Sequence, residues 1–355
     1  MTPAAFRRAA SLALVCILSF ATALGMLACS SGTADEPTDA SLAAPQANEP
    51  SSPPAEDKPP LRVASLKGPT SIGLAHEMTL DKTRSSLPLF EYSIYGAGDE
   101  IVPLLVQGEL DIALIPANLA ATLYSKTEGD IQVIGINTLG VLYVVTGDAS
   151  VTSIASLDGR SVYMTGKGTI PEYTIRYLLQ EHGLSADDVS LEFLAEPSEV
   201  AARLAADPAA VGILPQPYAA SVTIKNPELA LALDLTHEWQ SVQSDPSLTL
   251  VTGVTVARSE VIEQRPDDIA SFLERQRIST EFAQTDIEQT ATNLVELGIF
   301  DNTNLAEAAI PYCNIIHITG SELKKTLSAY LAVLYGQDSA AVGGALPGDD
   351  FYYNS

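Results

Sequence analysis

The sequence is short of cysteine, of basic side chains, of aromatic residues and of any recognisable catalytic pattern, and each shortage narrows what it does. Three cysteines occur in 355 residues. Cys16 lies inside the N-terminal apolar run and Cys29 closes it, which leaves Cys313 alone in the body of the chain, with no partner for an internal disulfide. Nineteen Lys and Arg face 44 Asp and Glu, for a formal charge of −25. Such a surface repels phosphate backbones and anionic lipid headgroups, so nucleic acid is excluded as a partner and solubility is the plainest role for the acids. GxSxG, HExxH, a Walker loop and GxGxxG are all missing; Gly166-Lys167-Gly168 lacks the third glycine in register. The four histidines, His76, His182, His237 and His317, show no metal-ligand spacing. No catalytic residue, metal or cofactor is therefore expected.

What is present is a repeated unit. Asp99–Asn118 reads DEIVPLLVQGELDIALIPAN, and Ser198–Pro217 reads SEVAARLAADPAAVGILPQP. Pro116 and Pro215 stand 99 positions apart, and the same separation relates Glu100 to Glu199, Leu105 to Leu204, Ile112 to Val211, Leu114 to Ile213 and Thr70 to Thr169. Each copy has the spacing of a short amphipathic helix, a turn and an apolar strand ending at proline, half of a parallel α/β unit. Two similar α/β lobes follow. A chain of this length with 46% apolar residues is also large enough for about two domains.

The first 28 residues form an address: MTPAAFRR carries two arginines, an uncharged apolar run follows, and MLAC ends at Cys29. Small residues before a cysteine resemble the lipobox of bacterial lipoproteins, in which the cysteine sulfur is acylated and becomes the mature N-terminus. Residues 29–60, rich in Pro, Ser, Ala and acids, have too little apolar surface to offset their ordering entropy and are expected to tether the body to the membrane.

After the tether, strands and helices alternate. LYVVTGD (142–148) reads as the run that leaves the first lobe, and SLTLVTGVTVARSEVI (247–262) as the return. Residues 61–147 with 251–355 are thus assigned to one lobe and 148–250 to the other, with crossings near 146–150 and 247–252. Ligands of open parallel sheets bind outside the carboxyl ends of the strands. The candidate site therefore collects Lys67, Gly68, Thr70, Ser71, Tyr95, Pro116, Asn118 and Asn137 from one lobe, and Thr165, Gly168, Thr169, Gln216, Tyr218 and Trp239 from the other. Glycines and hydroxyls at helix starts expose backbone N–H groups suited to an anionic or strongly polar ligand. Tyr95, Tyr173, Tyr218 and Trp239 offer faces for a heteroaromatic ring. Thr169 with Glu172 fits a capping box.

The pattern GxxxxIxxxLxxGExDIAxxP (96–116), the later ILPQPY and the segment IPYCNI resemble the substrate-binding lipoproteins of ABC importers, in particular the NMT1/THI5-like set of thiamine-precursor and alkanesulfonate binders. The matching stretches span most of residues 61–335. That resemblance implies an α/β type II periplasmic-binding-protein fold, two lobes joined by a two-strand hinge, and ligand contacts from Lys67–Ser71, Pro116–Asn118, Thr165–Thr169 and Gln216. Many relatives carry Glu where this chain has Gln216, so a cationic ligand group is disfavoured there. The resemblance implies a monomeric, extracytoplasmic, lipid-anchored binder of a small molecule, a thiamine-precursor-like heteroaromatic or alternatively an alkanesulfonate or similar organic anion, delivered to an ABC permease. Two rivals stand beside it. One is an enzyme like the fungal pyrimidine synthases of the same superfamily, against which the export signal and single mature cysteine count; the other is a lipoprotein serving a sensor. The anchor is directly testable: Cys29→Ala is expected to move the protein from the membrane fraction to the soluble fraction on immunoblots, and unchanged membrane retention would rule the lipid anchor out.

Overall fold

The structure, a computed structural model, describes residues 58–84, 88–185, 187–245 and 247–354. The leader, Cys29 and the tether up to residue 57 lie outside them. Among the described residues no helix is long and apolar enough to cross a membrane. Residues from Asp57 onward form one compact unit containing two sheets.

In chain order the elements are β1 (Leu61–Leu66), α1 (Ala75–Thr83), β2 (Phe90–Tyr95), α2 (Gly98–Val106), β3 (Ile112–Pro116), α3 (Ala117–Lys126), β4 (Ile131–Leu139), β5 (Leu142–Thr146), β6 (Ser161–Met164), α4 (Ile170–Glu181), β7 (Ser190–Phe193) and α5 (Pro197–Ala206). There follow β8 (Val211–Pro215), α6 (Tyr218–Lys225), β9 (Ala230–Asp234), α7 (Leu235–Ser241), β10 (Val251–Arg258), α8 (Ser259–Gln264), α9 (Pro266–Thr285), α10 (Ile287–Glu296), α11 (Thr303–Ala309), β11 (Ile315–Ile318) and α12 (Gly320–Gln337). A 3-10 turn, Pro69–Leu74, links β1 to α1.

One sheet runs β11-β4-β10-β3-β1-β2 and the other β7-β6-β8-β5-β9. Their plans are the same, and the 99-residue separation holds to the level of strand register. Arg62 pairs with Glu91 and Val63 with Ile112 in the first sheet; Ser161 pairs with Ser190 and Val162 with Val211 in the second. Each parallel trio takes an antiparallel strand beside its third member: β10 beside β3, β5 beside β8. The near-continuous apolar runs of β3, β5 and β10 follow from this central position, since both faces of such strands are covered by helices.

The pairing corrects the expected first crossing. β5 bonds only to β8 and β9 of the second sheet, so the chain leaves the first lobe at Gly140-Val141 rather than at 146–150. It returns between the end of α7 and Val251, overlapping the expected 247–252. Glycine is required at the crossing because a Cβ on Gly140 would run into Thr236 Oγ1 and lie 3.0 Å from Leu250. The crossings thus pack against each other, and Leu139 pairs with Val251 across them.

A third segment braces this hinge. Asn314, with φ of 47°, donates Nδ2–H to the Gly140 carbonyl at 2.7 Å, while its own carbonyl accepts Leu139 N–H at 3.0 Å. From the second lobe, Gln216 N–H donates to the Val141 carbonyl at 2.9 Å. On one flank α12 spans both lobes, with Tyr330 edge-on to Trp239 and Lys325 paired to Asp245. On the other, Ala220 of α6 packs with Ile72, Phe300 and Ala306 of the first lobe.

Asn314→Ala forces alanine into the left-handed region and removes the bond to Gly140. A loss of about 2–3 kcal/mol in urea unfolding is expected, against about 1 kcal/mol for Asn314→Gly, which keeps the backbone conformation. Equal losses for the two variants would show that the left-handed conformation is not what the hinge needs.

Candidate functional site

The strand ends of the two sheets face one another across a cleft of about 510 Å³, inside the range of small-molecule sites. Lys67, Gly68 and Gly96 wall it from the first lobe, and Pro217, Tyr218, Ser221 and Lys225 from the second. The turn after β1 reaches the cleft because Gly68 adopts φ of 127°, which side chains rarely tolerate, and Lys67 N–H is held by the Tyr95 carbonyl at 2.8 Å. Ile299, Phe300, Asp301 and Leu305 close one side. The first three belong to the turn between α10 and α11 and Leu305 to the first turn of α11, where Asn302 caps the helix by accepting Leu305 N–H at 2.9 Å. A groove of about 580 Å³ along α9 and β11 is larger, but the first lobe alone lines it and its Arg277 is already clamped by Glu274 and Glu281.

Of the expected residues, Lys67, Gly68 and Tyr218 meet in the cleft. Tyr95 and Pro116 are half-buried at their strand ends, and Asn118 half-buried in the first turn of α3. The others have different work. Thr70 is 8% exposed, its hydroxyl directed at the Leu66 carbonyl, and Ser71 is fully buried with its hydroxyl on Ser65. Asn137 is buried in a polar ladder, bonded to Thr138 and to Thr255, which in turn takes Gln276 Nε2–H at 3.0 Å. Trp239 is 2% exposed and packs on Tyr177 with ring centroids 4.3 Å apart. An indole with one end satisfied by aromatic packing belongs to the core, not to a ligand face.

The loop after β6 also departs from expectation. Thr165 is half-buried there, while Gly168 and Thr169 are exposed. Thr169 forms no cap; its hydroxyl donates to the Gly166 carbonyl at 2.7 Å, and Glu172 instead accepts Gly168 N–H at 2.6 Å. Burial pushes the Glu172 carboxyl up, but the Gly168 N–H and Arg176 outweigh it and hold its pKa low, so it stays charged. The same device recurs: Glu100 accepts Ala97 N–H at 2.9 Å before α2, and Glu199 accepts Ala195 N–H at 2.8 Å before α5. Of these three helix starts, the one at Gly168-Thr169 read as anion-binding in the sequence, and there as at the other two a carboxylate of the chain itself accepts a backbone N–H at the helix entry. Tyr173, a candidate stacking face, is held by the Gly168 carbonyl and Asp338.

Gln216 is placed at the strand end as expected but is 3% exposed, and its Oε1 accepts Ala220 N–H at 3.2 Å in the first turn of α6. Sequence reasoning missed Gly96, Ser221, Lys225 and the α10–α11 turn. Ser221 and Lys225 lie three and seven residues after Tyr218, one helix face, so that spacing carried a signal once Tyr218 was placed. Nothing in IFDNTNL marked the turn as reaching the other lobe.

No known family's sequence pattern matches the chain, and no curated protein matches its sequence. Solved structures do match. An ABC transporter protein from Parabacteroides distasonis superposes with a TM-score of 0.71 at 24% identity, covering 84% of this chain and 99% of its own. The periplasmic aliphatic sulphonate binding protein SsuA from Escherichia coli gives 0.65 at 15% identity, covering 84% and 93%. The desulfurization enzyme DSZB gives 0.57 at 13% identity, covering 84% and 97%. At these identities the likeness is one of fold: the chain has the two-sheet α/β architecture of the periplasmic binding proteins of ABC transporters.

The burial of the one tryptophan is open to direct measurement. Emission from Trp239 is expected to be blue-shifted and poorly quenched by iodide in the folded protein, shifting red only on unfolding; efficient quenching of the native state would return Trp239 to the cleft.

Proposed function

We propose that the chain is the solute-binding component of an ABC importer, tethered outside the cytoplasm by lipid on Cys29. In this reading it captures one small molecule between its lobes and presents it to a permease. The observation that carries the proposal is the 510 Å³ cleft, walled by both lobes at the strand ends and hinged at Gly140-Val141. Rotation about two paired crossings lets such lobes close on a solute. The expected site residues Lys67, Gly68, Tyr218 and Gln216 stay in the proposal; Trp239, Ser71 and Asn137 leave it. With Trp239 in the core and Tyr173 tied to Asp338, the case for a thiamine-precursor-like heteroaromatic rests on half-buried Tyr95 and on Tyr218, which is 43% exposed. The two lysines favour the other reading, an organic anion.

Binding is preferred over catalysis even though DSZB, an enzyme, shares the fold. Among the described residues no histidine or cysteine lines the cleft. Cys313 is fully buried and burial pushes its thiol well above the usual range, so it is no nucleophile.

Gently purified protein is expected to retain one small molecule in native mass spectrometry, and stripping it should increase the radius of gyration in small-angle scattering as the lobes part. Absence of any retained mass together with identical scattering before and after stripping would defeat the proposal.

A further inference from the structure

The first turn of α4 and the end of α12 meet across the two lobes. Tyr173 Oη lies 2.8 Å from Asp338 Oδ2, and 2.9 Å from the Gly168 carbonyl of its own lobe. A phenol has one hydrogen to give, so these two acceptors compete for it. The proton stays on the phenol: burial and the neighbouring carboxylate push the Tyr173 hydroxyl up to about 12, while that hydroxyl and the Ala340 N–H hold the Asp338 carboxyl below its usual range.

Asp338 is fixed to the first lobe. It ends α12, its Oδ1 accepts Ala340 N–H at 2.9 Å, and the 3-10 turn that follows, Ser339–Val342, packs on α3. There Ser125 Oγ–H donates to the Gly343 carbonyl at 3.2 Å, and a Cβ on Gly343 would lie 2.9 Å from Thr122 Cα. Tyr173 is fixed to the second lobe, where Gly168, its other acceptor, gives its own N–H to Glu172. Each partner therefore keeps a bond inside its own lobe when the bond between them breaks. A paired polar group that loses its only partner is left unsatisfied; here parting exchanges one acceptor of the phenol for another, and the carboxylate keeps Ala340. We infer that the Tyr173–Asp338 hydrogen bond is a reversible latch between the lobes, made when they are together and passed to the Gly168 carbonyl when they part. Neither residue lines the cleft, so the latch acts on the arrangement of the lobes and not on what the cleft selects.

This inference rests on the reading of two lobes that part around a solute, and its test needs no knowledge of that solute. Small-angle scattering of stripped protein, fitted as a mixture of closed and open forms, would be compared for the wild type, Tyr173→Phe, Asp338→Ser and the double variant. Serine keeps an acceptor for Ala340 N–H and is too short to reach Tyr173. Loss of one charge-assisted hydrogen bond at a half-exposed site is expected to lower the closed-to-open ratio about threefold or more in each single variant, and the double variant is expected to match the singles, since one bond is lost in all three. A stripped wild type with no closed form, single variants with the wild-type ratio, or a double variant whose loss is the sum of the two single losses overturns the latch. Asp338→Ser leaves the bond from Tyr173 to Gly168 intact and decides the matter by itself if Tyr173→Phe fails to fold. A small molecule retained by the wild type in native mass spectrometry together with unchanged ratios removes the latch and leaves the solute-binding reading. Lowered ratios in a protein that retains no molecule keep the latch and count against that reading.

Discussion

Two consecutive carbonyl groups, those of Gly140 and Val141, are the constraint on which this molecule turns. The first is bonded by the Asn314 amide of one lobe and the second by the Gln216 backbone of the other. A buried carbonyl seldom goes unpaired, so the crossing strand is fixed on both sides. The neighbouring elements follow from it: Gln216 comes directly after β8, Tyr218 starts α6, and Asn314 leads into β11. The residue that bonds the crossing through its backbone directly precedes Pro217 and Tyr218 of the cleft wall, so the crossing and the cleft are adjacent along the chain.

The excess of acid looks in composition like a solvated coat, and much of it is. Some of it works inside the fold. Glu100, Glu172 and Glu199 turn back onto the N–H groups that precede their own helices, where both the unpaired donors and the helix dipole favour a negative charge. Each of these glutamates thus holds the backbone that enters its helix from within the chain.

The repeat separated by 99 residues was legible because helix and strand periodicities are local and survive with few identical residues. Ile112 and Val211, or Glu100 and Glu199, share a role without sharing a neighbourhood in sequence. The site was only partly legible. Lys67, Gly68 and Tyr218 lie where the rule of strand ends places them, whereas Asn137 and Ser71 obey the same rule and are buried. Strand-end position says which end of the sheet a residue occupies, not whether its side chain points into the cleft or is taken by a neighbour such as Thr255 or Ser65.

By itself the sequence determined the two α/β units, the repeated helix, turn and apolar strand within them, and the leader pattern ending at Cys29, since each depends on spacing within a few residues. Tertiary structure alone decided that β5 belongs to the second sheet, because an apolar run of five residues satisfies a central position in either. It also decided that Trp239 joins Tyr177 and Tyr330 in the core, and that the segment 299–305, the α10–α11 turn with the start of α11, closes the cleft. Those outcomes depend on segments tens to hundreds of residues away, whose approach is set by the packing of whole lobes and not by any pattern in the neighbouring chain.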